Sequence, residues 1–296
     1  MFICRKDTII KQAEFNKSEF ILNPDGSVYH LGILPEDLAQ KVITVGDPNR
    51  VPFVSRHFDQ IEVKKTNREF TVHTGSYRGN RITCLSTGMG TANIDIVLNE
   101  LNMLANVDFK TRTVRTNRQK LSLMRIGTSG SVSKKIVPGD VVVSELAIGL
   151  DGLLNWYKYN RNEQEDNWEI ALSELKLPVG PYAVSAAQDV LNEIGDSLKR
   201  SITFTAPGFY APQDRYIDTT SFPYFKSLLN VAVNGTSISN IEMETAAIYG
   251  LAHVFGHDAI SISAILADRL SGEFASNPQE TVNRAIEYGL DLICRL

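Results

Sequence analysis

The chain has 296 residues, of which 43% are hydrophobic and 22% charged, and its net charge at pH 7 is −4. This composition is typical of a folded globular protein, and nothing in the overall charge favours a polyanion, so we expect no nucleic-acid partner. A membrane partner is not expected either, because there is no run of about 18 apolar residues that could cross a bilayer.

The cysteines and histidines point away from a disulfide framework and a metal centre. Cys4, Cys84 and Cys294 are far apart and form no CxxC spacing, and the five histidines form no HExxH motif. The first residues lack the long apolar stretch of a secretory leader. We therefore expect a reduced, cytoplasmic protein without a metal site.

Short apolar runs that end near Gly, Asp or Ser alternate with segments of helical spacing. The predicted strands are Lys41–Val45, Phe70–Tyr77, Arg81–Ser86, Ser122–Ile126, Asp140–Glu145, Val231–Val233 and Ala259–Leu266. The predicted helices are Arg50–Arg56, Thr91–Leu104, Ala186–Gly195, Asn240–Phe255 and Asn277–Leu296. This alternation predicts an α/β fold with a mixed sheet covered on both faces.

Two segments interrupt the alternation, and both are predicted to be loop excursions. Residues 109–120 carry five basic side chains and no acidic one, which is typical of a solvated loop. Residues 155–167 are polar and aromatic and are interpreted as an excursion or lid that follows a strand.

Two turns at predicted strand ends could bind an anion. Gly46 follows the first strand, and Pro48 and Arg50 open the helix after it, so backbone N–H groups and a guanidinium come together. Arg125 lies near a strand end that runs into the Gly-Thr-Ser-Gly turn of Gly127 to Gly130, where hydroxyl and N–H donors are available. An ordinary turn without a ligand is the alternative at both places.

Glu242 and Glu244 occupy the start of an apolar segment that is predicted to be a buried helix. Buried carboxylates are costly unless they are paired or hydrogen-bonded, and a vicinal diol would supply two O–H donors. Capping of the helix N-terminus is the alternative. The segment Ser86 to Thr91 is another strand end that opens a helix. Its Met89 is interpreted as a core residue, and a residue that lines a ligand site is the alternative.

Gln213 and Arg215 follow Phe209 in a loop that is predicted to be extended, where residues two apart point the same way. An amide and a guanidinium together match the mixed donors and acceptors of a uracil edge, and an aromatic ring can stack on the base. A polar turn without a ligand is the alternative. Asp268 and Arg269, at the end of the most apolar strand, form either a salt-bridged rim or part of a site.

Four of these motifs occur in the same order in the nucleoside phosphorylases, and the chain resembles this family, most closely its uridine phosphorylase branch. They are Gly-Asp-Pro-x-Arg, Arg-Ile-Gly-Thr-Ser-Gly, Glu-Met-Glu and Phe-Tyr-x-x-Gln-x-Arg, and the resemblance runs from about Tyr29 to the C-terminus. It implies a single α/β domain with a central mixed, partly barrel-like sheet flanked by helices. It also implies a homo-oligomer built from dimers with shared active sites.

The implied reaction is the reversible phosphorolysis of uridine to uracil and ribose 1-phosphate, with inorganic phosphate as co-substrate and no cofactor. By resemblance, phosphate would be held by Gly46, Arg50, Arg68, Arg125 and Thr128. Ribose would be held by His30, Glu242, Met243 and Glu244. The base would lie against Phe209, Gln213, Arg215, Ser129, Gly130, Ile265 and Leu266.

Within these sets, the resemblance assigns catalysis to Glu244, Gln213 and Arg215. Arg68 and His30 are implied to reach the site of a neighbouring subunit. One departure from the family pattern is Asp268, because the pyrimidine branch usually has Asn there and purine-selective relatives use an aspartate on this loop to protonate the base. Asp268 therefore indicates either altered base choice or a salt bridge to Arg269 or Arg215. A purine phosphorylase, a nucleosidase and a non-catalytic nucleoside-binding protein stay open as alternatives.

Overall fold

Five strands of one large mixed sheet close into a barrel, and the other strands extend from it. The structure is a computed structural model that describes residues 14–218 and 224–296, so Cys4 and the predicted absence of a leader lie outside it. Its strands are β1 (Lys41–Val45), β2 (Gln60–Asn67), β3 (Phe70–Tyr77), β4 (Asn80–Ser86), β5 (Val107–Asp108), β6 (Thr113–Val114), β7 (Ser122–Ser131), β8 (Val141–Gly149), β9 (Tyr182–Ser185), β10 (Lys199–Thr205), β11 (Ala232–Val233), β12 (Thr236–Ser237), β13 (Asn240–Glu242) and β14 (Asp258–Asp268). Its helices are α1 (Arg50–Ser55), α2 (Thr91–Asn106), α3 (Glu163–Ser173), α4 (Gln188–Ile194), α5 (Phe225–Leu229), α6 (Thr245–Phe255) and α7 (Pro278–Arg295).

The barrel closes because β7 is long: β14 pairs along one edge of it, and the other edge pairs with β1 at its start and with β13 at its end. In order around the barrel, β13 pairs with β10, β10 with β8, β8 with β14, β14 with β7, and β7 with β13 again. Strands β1, β4, β3 and β2 continue outward from β7, and β9 adds to β8. Parallel and antiparallel pairings both occur, which confirms the predicted mixed, partly barrel-like sheet in a single α/β domain.

The core has two main apolar clusters. A large apolar cluster joins the sheet to α2, α6 and α7, and a smaller one surrounds the buried Trp168 of α3. The barrel strands also carry small polar side chains that are fully buried, such as Ser144, Thr203, Thr205 and Ser263. Such groups are tolerated where they bond one another, and the Ser144 and Thr203 hydroxyls lie 2.6 Å apart.

The prediction of a helix over Asn240–Phe255 is wrong for its first residues. Residues 240–242 form β13, and the helix begins only at Thr245. Hydrophobic periodicity did not separate the two parts, because a short apolar run is ambiguous between strand and helix. The three-residue strand is instead stabilised by pairing with β10 and with the end of β7.

Several elements were not predicted from the sequence, namely β2, β5, β6, β9, β10, β12, α3 and α5. Residues 155–167 contain more than a loop, because α3 begins at Glu163. The sequence contains a signal for this helix, because Asn162 is followed three residues later by Glu165, the spacing of a capping box. In the structure the Asn162 side chain accepts from the Glu165 N–H, and the Glu165 side chain accepts from the Asn162 N–H. Strand β2 was not predicted because it carries several charged side chains. Such charges are typical of an edge strand, and β2 is the outermost strand of the sheet.

The basic segment 109–120 is also more than a solvated loop. The Arg112 guanidinium donates to the Phe15 carbonyl at 2.8 Å and lies 4.8 Å from the ring centre of Phe20. Lys120 forms a 2.7 Å ion pair with Asp258. Positive charges in this segment therefore stabilise contacts with distant parts of the chain.

Within the described residues, no helix has the length and apolar character needed to cross a membrane. In the same part of the chain, no cluster of three or more His, Cys, Asp or Glu side chains is arranged to hold a metal ion.

Candidate active site

A cavity of about 840 Å³ lies where several strands end. Strands β1, β4, β7 and β14 run parallel, so their carboxyl ends meet at one edge of the sheet, the usual ligand position in α/β proteins. Antiparallel β13 adds its own end there, because Asn240 and Ile241 pair with Ser131 and Gly130. Of the residues assigned by resemblance, the cavity is lined by Gly46, Arg50, Arg125, Thr128, Ser129, Gly130, Phe209, Gln213, Arg215, Glu242, Met243, Glu244 and Leu266.

Two of the guanidiniums that line the cavity, those of Arg50 and Arg125, lie near each other. Arg50 is half-buried at the start of α1, and burial together with the nearby charge of Arg125 lowers its pKa. Arg125 is only 5% exposed. Burial opposes its charge, but Glu242 and Glu244 more than offset this and raise its pKa. A bound anion would relieve the repulsion between the two arginines.

The Gly-Thr-Ser-Gly segment is not the turn that the sequence predicted. Strand β7 continues through it to Ser131, and Thr128 and Ser129 are strand residues. The glycine at 127 has another purpose, because the Arg125 side chain folds back over it. A Cβ placed at Gly127 would lie 2.6 Å from Nη2 of Arg125 and closer still to Cζ and Nη1.

The two carboxylates of the Glu-Met-Glu motif both contact Arg125. Its Nη2 lies 2.9 Å from Glu242 Oε2 and 2.7 Å from Glu244 Oε2. The helix assignment would have placed these carboxylates on different faces. They converge because Glu242 ends a strand and Glu244 directly precedes α6. Burial raises the pKa of Glu244, with Arg125 opposing the shift and Glu242 adding to it.

The loop of Phe209, Gln213 and Arg215 is compact rather than extended. A single 3-10 turn covers Ala211–Gln213, and the Arg215 guanidinium lies 3.9 Å from the ring centre of Phe209. Arg215 also donates to the side-chain oxygen of Gln213, which is 3% exposed. Arg269 holds the turn by donating to the Gln213 carbonyl at 2.9 Å.

These contacts place the Gln213 amide beside the Arg215 guanidinium, which itself lies over the Phe209 ring. Burial, together with the neighbouring Arg269, lowers the pKa of Arg215 to about 10. That value is far enough above neutrality to keep the guanidinium charged at pH 7. The pair can therefore donate to a ring oxygen and accept from a ring N–H.

Asp268 forms neither of the salt bridges considered from the sequence. Its Oδ1 accepts from the N–H groups of Leu270 at 2.7 Å and Ser271 at 3.3 Å. The carboxylate thus closes the turn after β14, and Asp268 does not line the cavity.

Three residues assigned by resemblance lie elsewhere. Ile265 is fully buried in a small apolar cluster with Ile136 and Val142. His30 Nδ1 lies 2.7 Å from Glu100 Oε1. Arg68 donates to the Tyr29 hydroxyl at 3.0 Å and stacks over its ring. His30 and Arg68 belong to one surface, since Asn67 donates to the carbonyls of Tyr29 and His30.

The cavity also has lining residues that the sequence analysis did not assign. Met89 is 78% exposed and lines the cavity, so its interpretation as a core residue is wrong and the alternative, a lining residue, is confirmed. Glu69, Asn93 and Phe274 line the cavity as well. Glu69 directly follows Arg68, and Met89 lies between two glycines. For these two residues, the position next to an assigned residue or a glycine turn is the signal that could have found them.

Together, the fold and the cavity are those of an α/β protein whose lining side chains could hold an anionic group, hydroxyls and a planar polar ring. The sequence profile of the phosphorylase superfamily matches residues 40–296. The chain therefore belongs to the phosphorylase superfamily.

Individual relatives agree with this family. A uridine phosphorylase of Thermococcus kodakarensis is 29% identical over 88% of this chain and 84% of its own length. A DeoD-type purine nucleoside phosphorylase of Geobacillus stearothermophilus is 27% identical over 90% of this chain and 98% of its own. Among solved structures, a Trypanosoma brucei nucleoside phosphorylase that shows uridine phosphorylase activity is 25% identical, with a TM-score of 0.83 over 94% of this chain and 100% of that one.

Proposed function

We propose that this protein is a uridine phosphorylase, which converts uridine and inorganic phosphate reversibly into uracil and ribose 1-phosphate. One observation carries the proposal: the cavity that holds Arg50, Arg125 and Glu244 also holds the Gln213–Arg215 pair. Cationic groups, a carboxylate and a base-reading pair are the three things that this reaction requires.

The charges of the cavity suit the transition state. As the bond between ribose C1′ and the base nitrogen breaks, positive charge develops on the ribose and negative charge on the base. A phosphate held by Arg50 and Arg125 favours the first and attacks C1′, while Arg215 and Gln213 favour the second by donating to the base. A single donor aimed at developing charge is worth about 3 kcal/mol in comparable sites. The reaction needs no covalent protein nucleophile and no cofactor.

Two features favour uracil over a purine as the base. Gln213 supplies both a donor and an acceptor, and Arg215 supplies donors, as the carbonyl–N–H–carbonyl edge of uracil demands. The carboxylate that a purine phosphorylase would use is engaged elsewhere, since Asp268 accepts from two backbone N–H groups of its own turn.

The decisive experiment measures the free base released from uridine, thymidine, inosine and adenosine, with and without phosphate. Cleavage of uridine that depends on phosphate is the expected result. Uridine cleavage that persists without phosphate would show a nucleosidase, and cleavage of inosine alone would show a purine phosphorylase. Tight nucleoside binding without any cleavage would leave the non-catalytic alternative.

We also propose a cytoplasmic homo-oligomer in which His30 and Arg68 complete the cavity of a neighbouring subunit. This is supported by the position of both side chains, which share a surface and do not line the cavity of their own chain. A reducing compartment agrees with the free thiols of Cys84 and Cys294.

Mixing two inactive variants tests the shared site. In a dimer of an Arg68→Ala subunit and a Glu244→Ala subunit, one cavity has both residues intact, so activity should return on mixing. Each variant incubated alone under the same exchange conditions is the control. If subunit exchange is demonstrated and no activity returns, Arg68 does not act across the interface.

A further inference from the structure

The two carboxylates of the Glu-Met-Glu motif differ in how many acceptor positions they have left. Glu242 Oε1 accepts from the Thr205 hydroxyl at 2.6 Å, its Oε2 accepts from the Glu244 N–H at 2.9 Å, and the Thr245 N–H is shared by both oxygens at 3.0 Å. Arg125 adds an ion pair at 2.9 Å. A carboxylate offers about four lone-pair positions. Donors of the chain itself therefore occupy all of the acceptor positions of Glu242.

Glu244 is held by fewer donors. Its Oε1 accepts from the Gly90 N–H at 2.7 Å and its Oε2 from Arg125 at 2.7 Å. Two acceptor positions are left over on a side chain that is 6% exposed and lines the cavity. Two neighbouring hydroxyls of a ribose need two such positions.

Thr205 is the residue that ties Glu242 to the barrel. It is the last residue of β10, it pairs with Glu242 in the parallel register, and it is fully buried. Its hydroxyl oxygen accepts from the Ala246 N–H at 2.9 Å, so its single proton is directed at Glu242. One hydroxyl thus links β10, β13 and the first turn of α6.

We infer that Thr205 is a positioning residue, which acts through Glu242 to hold Arg125 and the start of α6 so that Glu244 faces the ribose diol. Glu242 then contributes to ribose recognition indirectly, and Glu244 is the direct acceptor. The inference rests on the proposed function only in taking a ribose as the ligand.

The test compares Thr205→Val, which keeps the shape but removes the hydroxyl, with Thr205→Ser, which restores it. Thr203→Val is the matched control, because Thr203 lies on the same strand, is equally buried and donates to Asn240 at 2.9 Å rather than to Glu242. The value of kcat/KM is measured for uridine and for 2′-deoxyuridine at saturating phosphate. A nucleoside with one hydroxyl of the pair depends less on the orientation of Glu244 than one with both.

Thr205→Val is expected to lower kcat/KM for uridine about tenfold, the effect of removing a donor to a buried charge, and to lower it less for 2′-deoxyuridine. Thr205→Ser should recover most of the loss. In Thr203→Val, any loss should be equal for the two nucleosides. If Thr205→Val does not fold, Thr205→Cys replaces it, since a thiol is a weaker donor.

Equal losses for both nucleosides, unchanged kinetics in Thr205→Val, or failure of Thr205→Ser to recover would each overturn the inference. Failure of the proposed function looks different. If the wild type cleaves only inosine, the same comparison is made with inosine and 2′-deoxyinosine. If it cleaves no nucleoside, the affinities of the variants for uridine and 2′-deoxyuridine, measured by calorimetry, give the same comparison.

Discussion

Gly127→Ala should disrupt the site although Gly127 has no functional group. An added Cβ would lie 2.6 Å from Arg125 Nη2 and closer to two other guanidinium atoms. The guanidinium has little freedom to move, because Arg125 is 5% exposed and is bound by Glu242 and Glu244. The substitution therefore forces Arg125 out of its ion pairs.

The magnitude follows from the buried charges left behind. Losing one partner of a buried ion pair costs about 3–5 kcal/mol. At about 2 °C per kcal/mol for a chain of this size, the melting temperature should fall by about 6–10 °C. Because Glu244 and Arg125 both line the cavity, phosphorolysis should fall as well.

Thermal unfolding and initial rates at fixed uridine and phosphate measure the two effects. Gly180→Ala is the matched control, since a Cβ there would meet only Asn155 Nδ2 at 4.0 Å. In an Arg125→Met background, Gly127→Ala should cost little further stability, because the clash is with the guanidinium. A Gly127→Ala protein that melts within about 1 °C of the wild type and is fully active would refute the reasoning.

Two further predictions concern single carboxylates. Burial raises the pKa of Glu244, and the ionised form is the hydroxyl acceptor, so uridine affinity should fall on acidification at a pH above the ordinary glutamate value of about 4.3. Calorimetry without phosphate checks this, with 2′,3′-dideoxyuridine as the control ligand; an equal loss of affinity for both ligands would contradict it. Asp268→Asn should leave activity and base preference unchanged, because an amide oxygen can accept from the Leu270 and Ser271 N–H groups as the carboxylate does. Competition between uridine and inosine measures base preference, and a switch toward either base would show that Asp268 acts on the ligand.

Much of the secondary structure could be predicted from short stretches of the sequence. The strand Lys41–Val45 and the helix after it were readable, because apolar periodicity and turn residues depend on near neighbours. The segment Ser122–Ser131 was read only to Ile126, since its glycine and hydroxyl residues are typical of a turn. Pairing with β14 along its whole length keeps that segment a strand.

The contacts of the site, in contrast, join residues that are far apart in the sequence. Arg125 and Glu244 are 119 positions apart, and Asn240 donates to Ser129 across 111 positions. Neither distance leaves a periodic trace in the sequence. Such contacts come about because the closing of the barrel sets which strand ends become neighbours.

The amino-acid sequence by itself determined the chemistry: an α/β chain without a polyanion-binding charge, with arginines, paired carboxylates and an amide–guanidinium pair at recognisable turns. Only the tertiary structure decided which of these groups are available to a ligand. Glu242 and Glu244 are the same residue type two positions apart, yet one is filled by Thr205 and backbone N–H groups and the other retains free acceptor positions. The physical reason is that hydrogen-bond capacity is consumed by whatever the fold brings near, and β10, β13 and β7 meet only when the barrel closes.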